Sequence, residues 1–251
     1  MARKIFFSFA HPDDESFSAA GLACWCLERG VEVVLACATR GEAGKPGNPA
    51  VAEPDGLGAA REQELRAAAE IIGIQQIHLL DYRDRELSDA KPHEIRRKLV
   101  TLVREHRPDV VMTFDPNGFN AHPDHVAISR FTGDAIAAAA DPRWLPKIGE
   151  PHTVRRLLWT SPIPPWEAAR SRDLHAEPGV DFVLDISPWS QRKADALRAH
   201  KSQHHSIDKH FFNQPDLERI LSLETFRQAW GPRLASRPSA DVFEGIEAQI
   251  D

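Results

Sequence analysis

Two clusters rich in histidine and aspartate hold the chemistry of this sequence. One is Ala10-His11-Pro12-Asp13-Asp14-Glu15 near the start, and the other is His122-Pro123-Asp124-His125 far downstream. Imidazole and carboxylate are suitable donors for Zn2+, and three protein ligands leave a fourth position open for water. Water on such an ion has its pKa lowered towards about 7. A carboxylate beside it can take the proton and return it to a leaving amine. The clusters supply parts for both tasks: two histidines and an aspartate to bind, with Asp13, His122 and Asp124 left over. A simpler reading competes, because Asp and Ser are common helix caps; Asp13, Asp14 or Ser16 could merely cap a first helix. Two His-Pro-Asp triplets, each after a strand, are harder to assign to capping.

The elements that must position these clusters follow from the apolar pattern. Strands are expected at Lys4–Phe9, Val31–Ala38, Ile77–Leu80 and Asp109–Phe114, with weaker ones at Leu157–Thr160 and Phe182–Ile186. Helices are expected over Ser16–Glu28, Ala59–Ile72, Pro92–Glu105, Val126–Ala140 and Pro188–His200, with Gly30 and Gly73 as stops and Pro188 in a first turn. Strands alternating with helices at this spacing imply an α/β fold: a Rossmann-like, doubly wound, mostly parallel sheet with helices on both faces. The chain reads as one domain over 1–251, with a core to about 160 and an irregular C-terminal part from about 161 to 251. In the strand order 3-2-1-4-5, strands one and four are neighbours, and their C-terminal ends flank the usual ligand crevice. Both clusters then face one cleft. The Gly- and Pro-rich segment 40–58 reads as a long functional loop. The last twenty residues carry little pattern and are expected to pack on a neighbour.

Bulk properties narrow the partners. Of 251 residues, 42% are hydrophobic and 27% charged, as in an ordinary soluble protein. A net charge of −6 argues against a nucleic-acid binder, which needs a basic face. No apolar stretch approaches the length of a membrane span, and no secretory signal opens the chain. Cys24, Cys26 and Cys37 are an odd count without metal-ligand spacing, so a reducing cytoplasm is the expected location.

At this point the chain resembles the zinc-dependent N-acetylglucosaminyl deacetylases of the LmbE and PIG-L type. The matching segments are AHPDDE at 10–15, TRGEAG at 39–44, REQEL at 61–65, FDPNGFNAHPDH at 114–125 and KADALRAHKSQ at 193–203. The resemblance implies a hydrolase that removes an N-acetyl group from a small amino-sugar substrate, with Zn2+ as cofactor and Fe2+ as another candidate. It implies His11, Asp14 and His125 as metal ligands and Asp13 as the general base on the metal-bound water. His122 would stabilise the oxyanion or protonate the amine, and Asp124 would orient an imidazole from behind. Arg61 and Asp84 match positions that hold hydroxyls, though either is also readable as a surface charge. Some thiol-pathway relatives have a tyrosine where this chain has Asn120, which leaves carbonyl polarisation to that amide or to water. Relatives are often multimeric, so a homo-oligomer is compatible.

The same residues admit other readings. A dinucleotide-dependent enzyme would need a glycine-rich turn after the first strand, and the carboxylates of His-Pro-Asp-Asp-Glu would repel phosphate. A non-catalytic sugar-binding module is at odds with a full ligand set plus a spare base. An amidase acting on a thiol-sugar conjugate would use the same metal site, the difference lying in the loops at 40–58, 83–91 and 142–177. Trp144, Trp159 and Trp166 are readable either as a sugar-stacking wall or as core. His200 reads as a helix-end imidazole or a support to the site, and His204, His205 and His210 as surface or interface residues.

Overall fold

The computed structural model describes residues 2–170 and 173–247. Its strands are β1 (Lys4–Phe9), β2 (Glu32–Thr39), β3 (Gln76–Tyr82), β4 (Val110–Thr113), β5 (Arg156–Thr160), β6 (Phe182–Asp185) and β7 (Leu223–Trp230). The helices are α1 (Asp14–Ser18), α2 (Ala20–Glu28), α3 (Leu57–Ile72), α4 (Pro92–His106), α5 (Gly118–Ala121), α6 (Pro123–Ala140), α7 (Pro165–Ala168), α8 (Ser190–Ala199), α9 (His204–Ile207) and α10 (Leu217–Ser222). Ile5, Phe6, Phe7 and Phe9 of β1 are all buried, on both faces of the sheet. Such unbroken apolar runs are what parallel strands covered by helices on either side require.

The sheet runs β3-β2-β1-β4-β5-β7-β6. Its first five strands are parallel and in the order expected from sequence. Ile5, Phe6 and Phe7 pair with Val110, Val111 and Met112, so β1 and β4 end side by side. The chain leaves β1 into the His11 segment and leaves β4 into the segment that ends at His125. On the helical layers, α2, α3 and α8 contact one another, and α4 packs on α6.

Three expectations need correction. The last strand, β7, was not anticipated; it inserts antiparallel between β5 and β6. Its segment LETFRQAW hides its inward face because one inward position is a charged residue, Glu224. That carboxylate lies 2.6 Å from Lys193 Nζ and accepts the Gly21 and Leu22 amides at 2.9 and 2.8 Å. The same bonds explain the second difference. The helix expected over Ser16–Glu28 breaks at Ala19 (φ −149°), and the new N-terminus of α2 is capped by Glu224 from across the sheet. Third, the C-terminal stretch packs on its own chain up to residue 247: Val242, Phe243 and Ile246 are buried, and Phe243 stacks on Trp25. Fully buried Arg156 ties this stretch down, donating to the Val242 and Glu244 carbonyls and to Gln228 Oε1. Residues 248–251 of that expectation lie outside the described residues.

Candidate active site

Asp13 and Asp14 follow β1 in a turn that geometry makes unusual. Asp13 has φ 106°, a conformation that costs a non-glycine residue roughly 1–3 kcal/mol and is retained where surrounding contacts enforce it. Its carboxylate makes no capping bond to α1, while its carbonyl accepts the Ser16 and Phe17 amides at 2.9 Å each. The side chain is thus left over from capping. Asp14 Oδ2 accepts the Ala10 and His11 amides at 3.1 and 2.8 Å. Burial would raise the Asp14 pKa, but the charge and hydrogen bond of His125 and the charge of His11 bring it down to about 2.

The second cluster is set by the turn after β4. Asp115 accepts the Asn117 and Phe119 amides, folding the chain through Gly118, Phe119 and Ala121, all at positive φ. A Cβ on Gly118 would fall 2.8 Å from the Val126 nitrogen and 2.9 Å from the His125 Cβ, so glycine is required for this close approach. The cap of α6 is His122, whose Nδ1 accepts the Asp124 amide at 3.2 Å, with Pro123 at the first helical position. In its neutral form His122 therefore carries its proton on Nε2. Burial, then the neighbouring His11 and His125 charges, holds this imidazole below its ordinary pKa.

The two clusters meet. His11 Nδ1 lies 3.1 Å from His125 Nε2, and Asp14 comes within 3.3 Å of His125 Nε2 and 3.7 Å of His11 Nδ1. The far nitrogens are already engaged: His125 Nδ1 with the Gly118 carbonyl at 3.2 Å, and His11 Nε2 with Asp84 at 3.1 Å and Asp124 at 3.2 Å. With neutral rings, those acceptors leave two imidazole lone pairs facing each other, an arrangement that either a proton or a shared metal ion would relieve. Tetrahedral donors about 2.0–2.1 Å from zinc stand roughly 3.4 Å apart, close to the spacings seen. The donor set therefore fits a divalent ion. Burial would lower the His11 pKa, yet Asp124, Asp84 and Asp14 outweigh it and lift it to about 10, which shows how strongly this pocket favours positive charge.

Two groupings that share His11 also bring donor atoms close enough to hold an ion, His11 with His122 and His125, and His11 with Asp84 and Asp124. Both include donors that also accept backbone amides, as Asp14 Oδ2 does. His122 Nδ1 caps α6, and Asp124 accepts the Arg85 and Leu87 amides at 2.6 and 3.2 Å, while Asp84 accepts the Ala43 amide at 3.0 Å.

Asp13 sits beside this centre. Burial and the Asp14 charge push its carboxyl up to about 6 against the pull of Arg61. Arg61 is buried; it donates to the Pro12 carbonyl at 2.5 Å and the Gly41 carbonyl at 2.8 Å, and stands 3.5 Å from the Asp13 carboxylate. Gly41 and Gly44 make room for it, since a Cβ at either would strike the guanidinium. The sequence-predicted residues His11, Asp13, Asp14, Arg61, Asp84, Asn120, His122 and His125 all line one cavity of about 410 Å³. Asp124 is fully buried behind it, against His11. Asn120 is exposed at the cavity edge and uses its Oδ1 to accept the His122 amide at 3.0 Å.

Sequence reasoning missed several features. His210, read as a surface or interface residue, lines the cavity and stacks on Trp166 at 4.3 Å. Of the three tryptophans, Trp166 lines the cavity, Trp159 packs partly buried against the core, and Trp144 is exposed. His200, read as a helix-end imidazole or a support to the site, does end α8. It is fully buried, 2.7 Å from Glu15, and that carboxylate's charge and hydrogen bond raise its pKa although burial alone would lower it. The signal was present, because Glu15 and His200 both fall in the motif segments AHPDDE and KADALRAHKSQ.

Residues 6–136 match the model of the PIG-L family, described as GlcNAc-PI de-N-acetylase. The chain belongs to this family. Among its relatives, a probable N-acetyl-alpha-D-glucosaminyl L-malate deacetylase 2 of Bacillus anthracis is 36% identical over 203 residues, 80% of this chain and 81% of the relative. A 1D-myo-inositol 2-acetamido-2-deoxy-alpha-D-glucopyranoside deacetylase of Streptomyces avermitilis is 30% identical over 97% of both chains. The fold of this PIG-L member is also that of N,N'-diacetylchitobiose deacetylase from Pyrococcus horikoshii, with TM-score 0.71, 22% identity, and coverage of 90% of this chain and 84% of the other. The 4-carboxy-2-hydroxymuconate hydratase GalB of Pseudomonas putida shares it as well, with TM-score 0.68, 20% identity, and coverage of 94% and 99%. The fold alone therefore does not select a reaction.

Proposed function

We propose that this chain is a metal-dependent N-deacetylase that hydrolyses the acetamide of a small N-acetylglucosamine-containing molecule. The observation that carries this reading is the convergence of His11 Nδ1, His125 Nε2 and Asp14 on the cavity floor, their outer atoms fixed, with Asp13 alongside. Named deacetylases at 30–36% identity support the amide as the bond broken. His11, Asp14 and His125 would hold the ion, best matched by Zn2+. Bound there, it supplies a polarised acyl carbonyl and a water acidic enough to lose its proton near neutral pH.

The chain's own residues do the rest. Asp13, kept off the helix cap and flanked by Arg61, accepts the proton of the attacking water and returns it to the departing amine. His122 presents Nε2–H, because its Nδ1 is engaged by the Asp124 amide, and donates a hydrogen bond to the developing oxyanion. Of the two tasks set out for His122, this geometry favours the oxyanion. Asp84 and Asp124 hold His11 by Nε2, which would leave its Nδ1 to bind the ion. Arg61 and Asp84 line the same cavity and would hold sugar hydroxyls there, with Asn120 at its edge.

We read 1–251 as one functional unit, since β6, β7 and α8 complete the sheet and helical layer that the family segment begins. No described helix is long and apolar enough to cross a membrane, and Cys24, Cys26 and Cys37 are free and buried, which fits a reducing cytoplasm. The test is acetate release by zinc-loaded protein across N-acetylglucosamine, its inositol and malate conjugates, and N,N'-diacetylchitobiose, with a thiol-sugar amide as a further arm. Release from a member of the first group is expected. Hydrolysis of the thiol-sugar amide alone would make the protein an amidase of that kind.

A further inference from the structure

Glu15 stands between the reaction centre and the C-terminal part of the chain. Its Oε2 accepts the Asp13 backbone amide at 3.1 Å, the amide of the residue held at φ 106°. Its Oε1 accepts from Ser16 Oγ at 2.6 Å and lies 2.7 Å from His200 Nε2. Glu15 is 1% and His200 0% exposed, and Ser16 is also buried. An unpaired carboxylate at this depth would be strongly destabilising, so His200 is the partner that makes a buried Glu15 tolerable. His200 Nδ1 has no hydrogen-bond partner among the described residues, so the imidazole's polar contacts are made through Nε2, towards Glu15 and Ser16.

We propose that His200 and Glu15 form a positioning relay that holds the strained Asp13 backbone, and thereby aims the Asp13 carboxylate, from behind the cleft. This inference rests on the role given to Asp13 above. Two supports converge on that residue. Arg61 grips the preceding Pro12 carbonyl and the Asp13 side chain, and Glu15 grips the Asp13 amide. The first comes from α3 and the second is anchored by the residue that ends α8, and α3 and α8 pack together. Ser202, two residues after His200, strengthens that junction by donating its amide and hydroxyl to Glu64 of α3 at 2.8 and 2.6 Å. The C-terminal part of the chain, which lines the cavity through Trp166 and His210, thus also reaches the base from behind. His200 and Glu15 are positioning residues and touch no reacting atom.

The variants are His200→Leu, which removes the donor, and His200→Gln, whose amide nitrogen is the same number of bonds from Cα as the imidazole Nε2. Glu15→Gln replaces His200→Leu should the latter not fold. Amide hydrogen exchange on the zinc-loaded protein is followed at Asp13, with the Ala10 and His11 amides, which bond to Asp14, as internal references. The relay predicts exchange at Asp13 at least tenfold faster in His200→Leu, with the references within twofold and His200→Gln within threefold of the parent. In the same proteins, turnover per bound zinc falls at least tenfold in His200→Leu with KM within threefold, and is largely recovered in His200→Gln. Unchanged Asp13 exchange, or exchange that rises equally at all three amides, overturns the relay. Turnover per zinc within twofold of the parent overturns it too. If the parent protein hydrolyses no acetamide, the functional reading fails, while Asp13 exchange still decides the relay.

Discussion

His11 Nδ1 and His125 Nε2 face each other at 3.1 Å with each ring's other nitrogen already committed, to Asp84 and Asp124 in one case and to the Gly118 carbonyl in the other. With both rings neutral, two lone pairs would face each other there, and a proton or a shared metal ion relieves the conflict. The proposed chemistry follows from this pairing.

Asp13→Asn removes the proton acceptor but keeps the side-chain volume. Asp14, His11 and His125 remain, so metal content by elemental analysis should stay at the parent level. Turnover should fall by about 10²–10⁴-fold, the usual worth of a positioned acid–base group. Near-parental turnover at full metal loading would remove Asp13 from the role of base.

His122→Ala deletes the Nε2–H donor and the cap of α6 together. Turnover should drop by about 10²–10³-fold, as for loss of one oxyanion donor, with a smaller change in KM. His122→Asn separates the two effects. Its side-chain oxygen can still cap the helix, so melting temperature should recover while turnover does not.

Gly118→Ala places a methyl 2.8 Å from the Val126 nitrogen and forces φ 69° on a residue with a Cβ. Destabilisation of more than about 1 kcal/mol is expected from urea unfolding. Because the Gly118 carbonyl orients His125, zinc affinity by competition with a chelator should weaken as well. A variant with parental stability and parental affinity would show that the loop yields freely.

Away from the cleft, His78 Nε2 and His106 Nε2 share a hydrogen bond of 2.8 Å. Burial lowers both pKa values, and for His106 the neighbouring His78 charge adds to it, while Glu105 opposes the shift in both and Lys4 and Glu32 act weakly on His106. The unfolded chain, with histidines near 6.5, binds more protons in this window than the folded one. The pair's contribution is therefore complete above about pH 6.5 and is lost as pH falls through the lowered folded values. Urea unfolding from pH 8 to pH 5 should show a shallower acid decline in His106→Gln than in the parent protein. An identical pH slope in the two would contradict this.

Much of the fold and the heart of the site were legible because their signals are local. His11, Asp13 and Asp14 lie within four residues, His122, Asp124 and His125 likewise, and unbroken apolar strands placed both at one end of a parallel sheet. What stayed hidden depends on partners distant in sequence. Strand β7 and the break at Ala19 both follow from Glu224, whose burial is compensated by Lys193 and by the amides of Gly21 and Leu22. No local pattern announces such a pairing. His210 read as a surface residue because its wall partner, Trp166, comes from another segment. For His200 the two readings could not be separated without Glu15, its partner 185 residues away.

The most direct test of the central claim is a zinc titration of the metal-stripped protein, following acetate release from the best N-acetylglucosamine conjugate and bound zinc together. Release should rise with zinc to one equivalent, vanish on chelation, and be absent in His11→Ala, which should also fail to retain the ion. Acetate release at the same rate from metal-free protein, or full zinc binding in His11→Ala, would contradict the account.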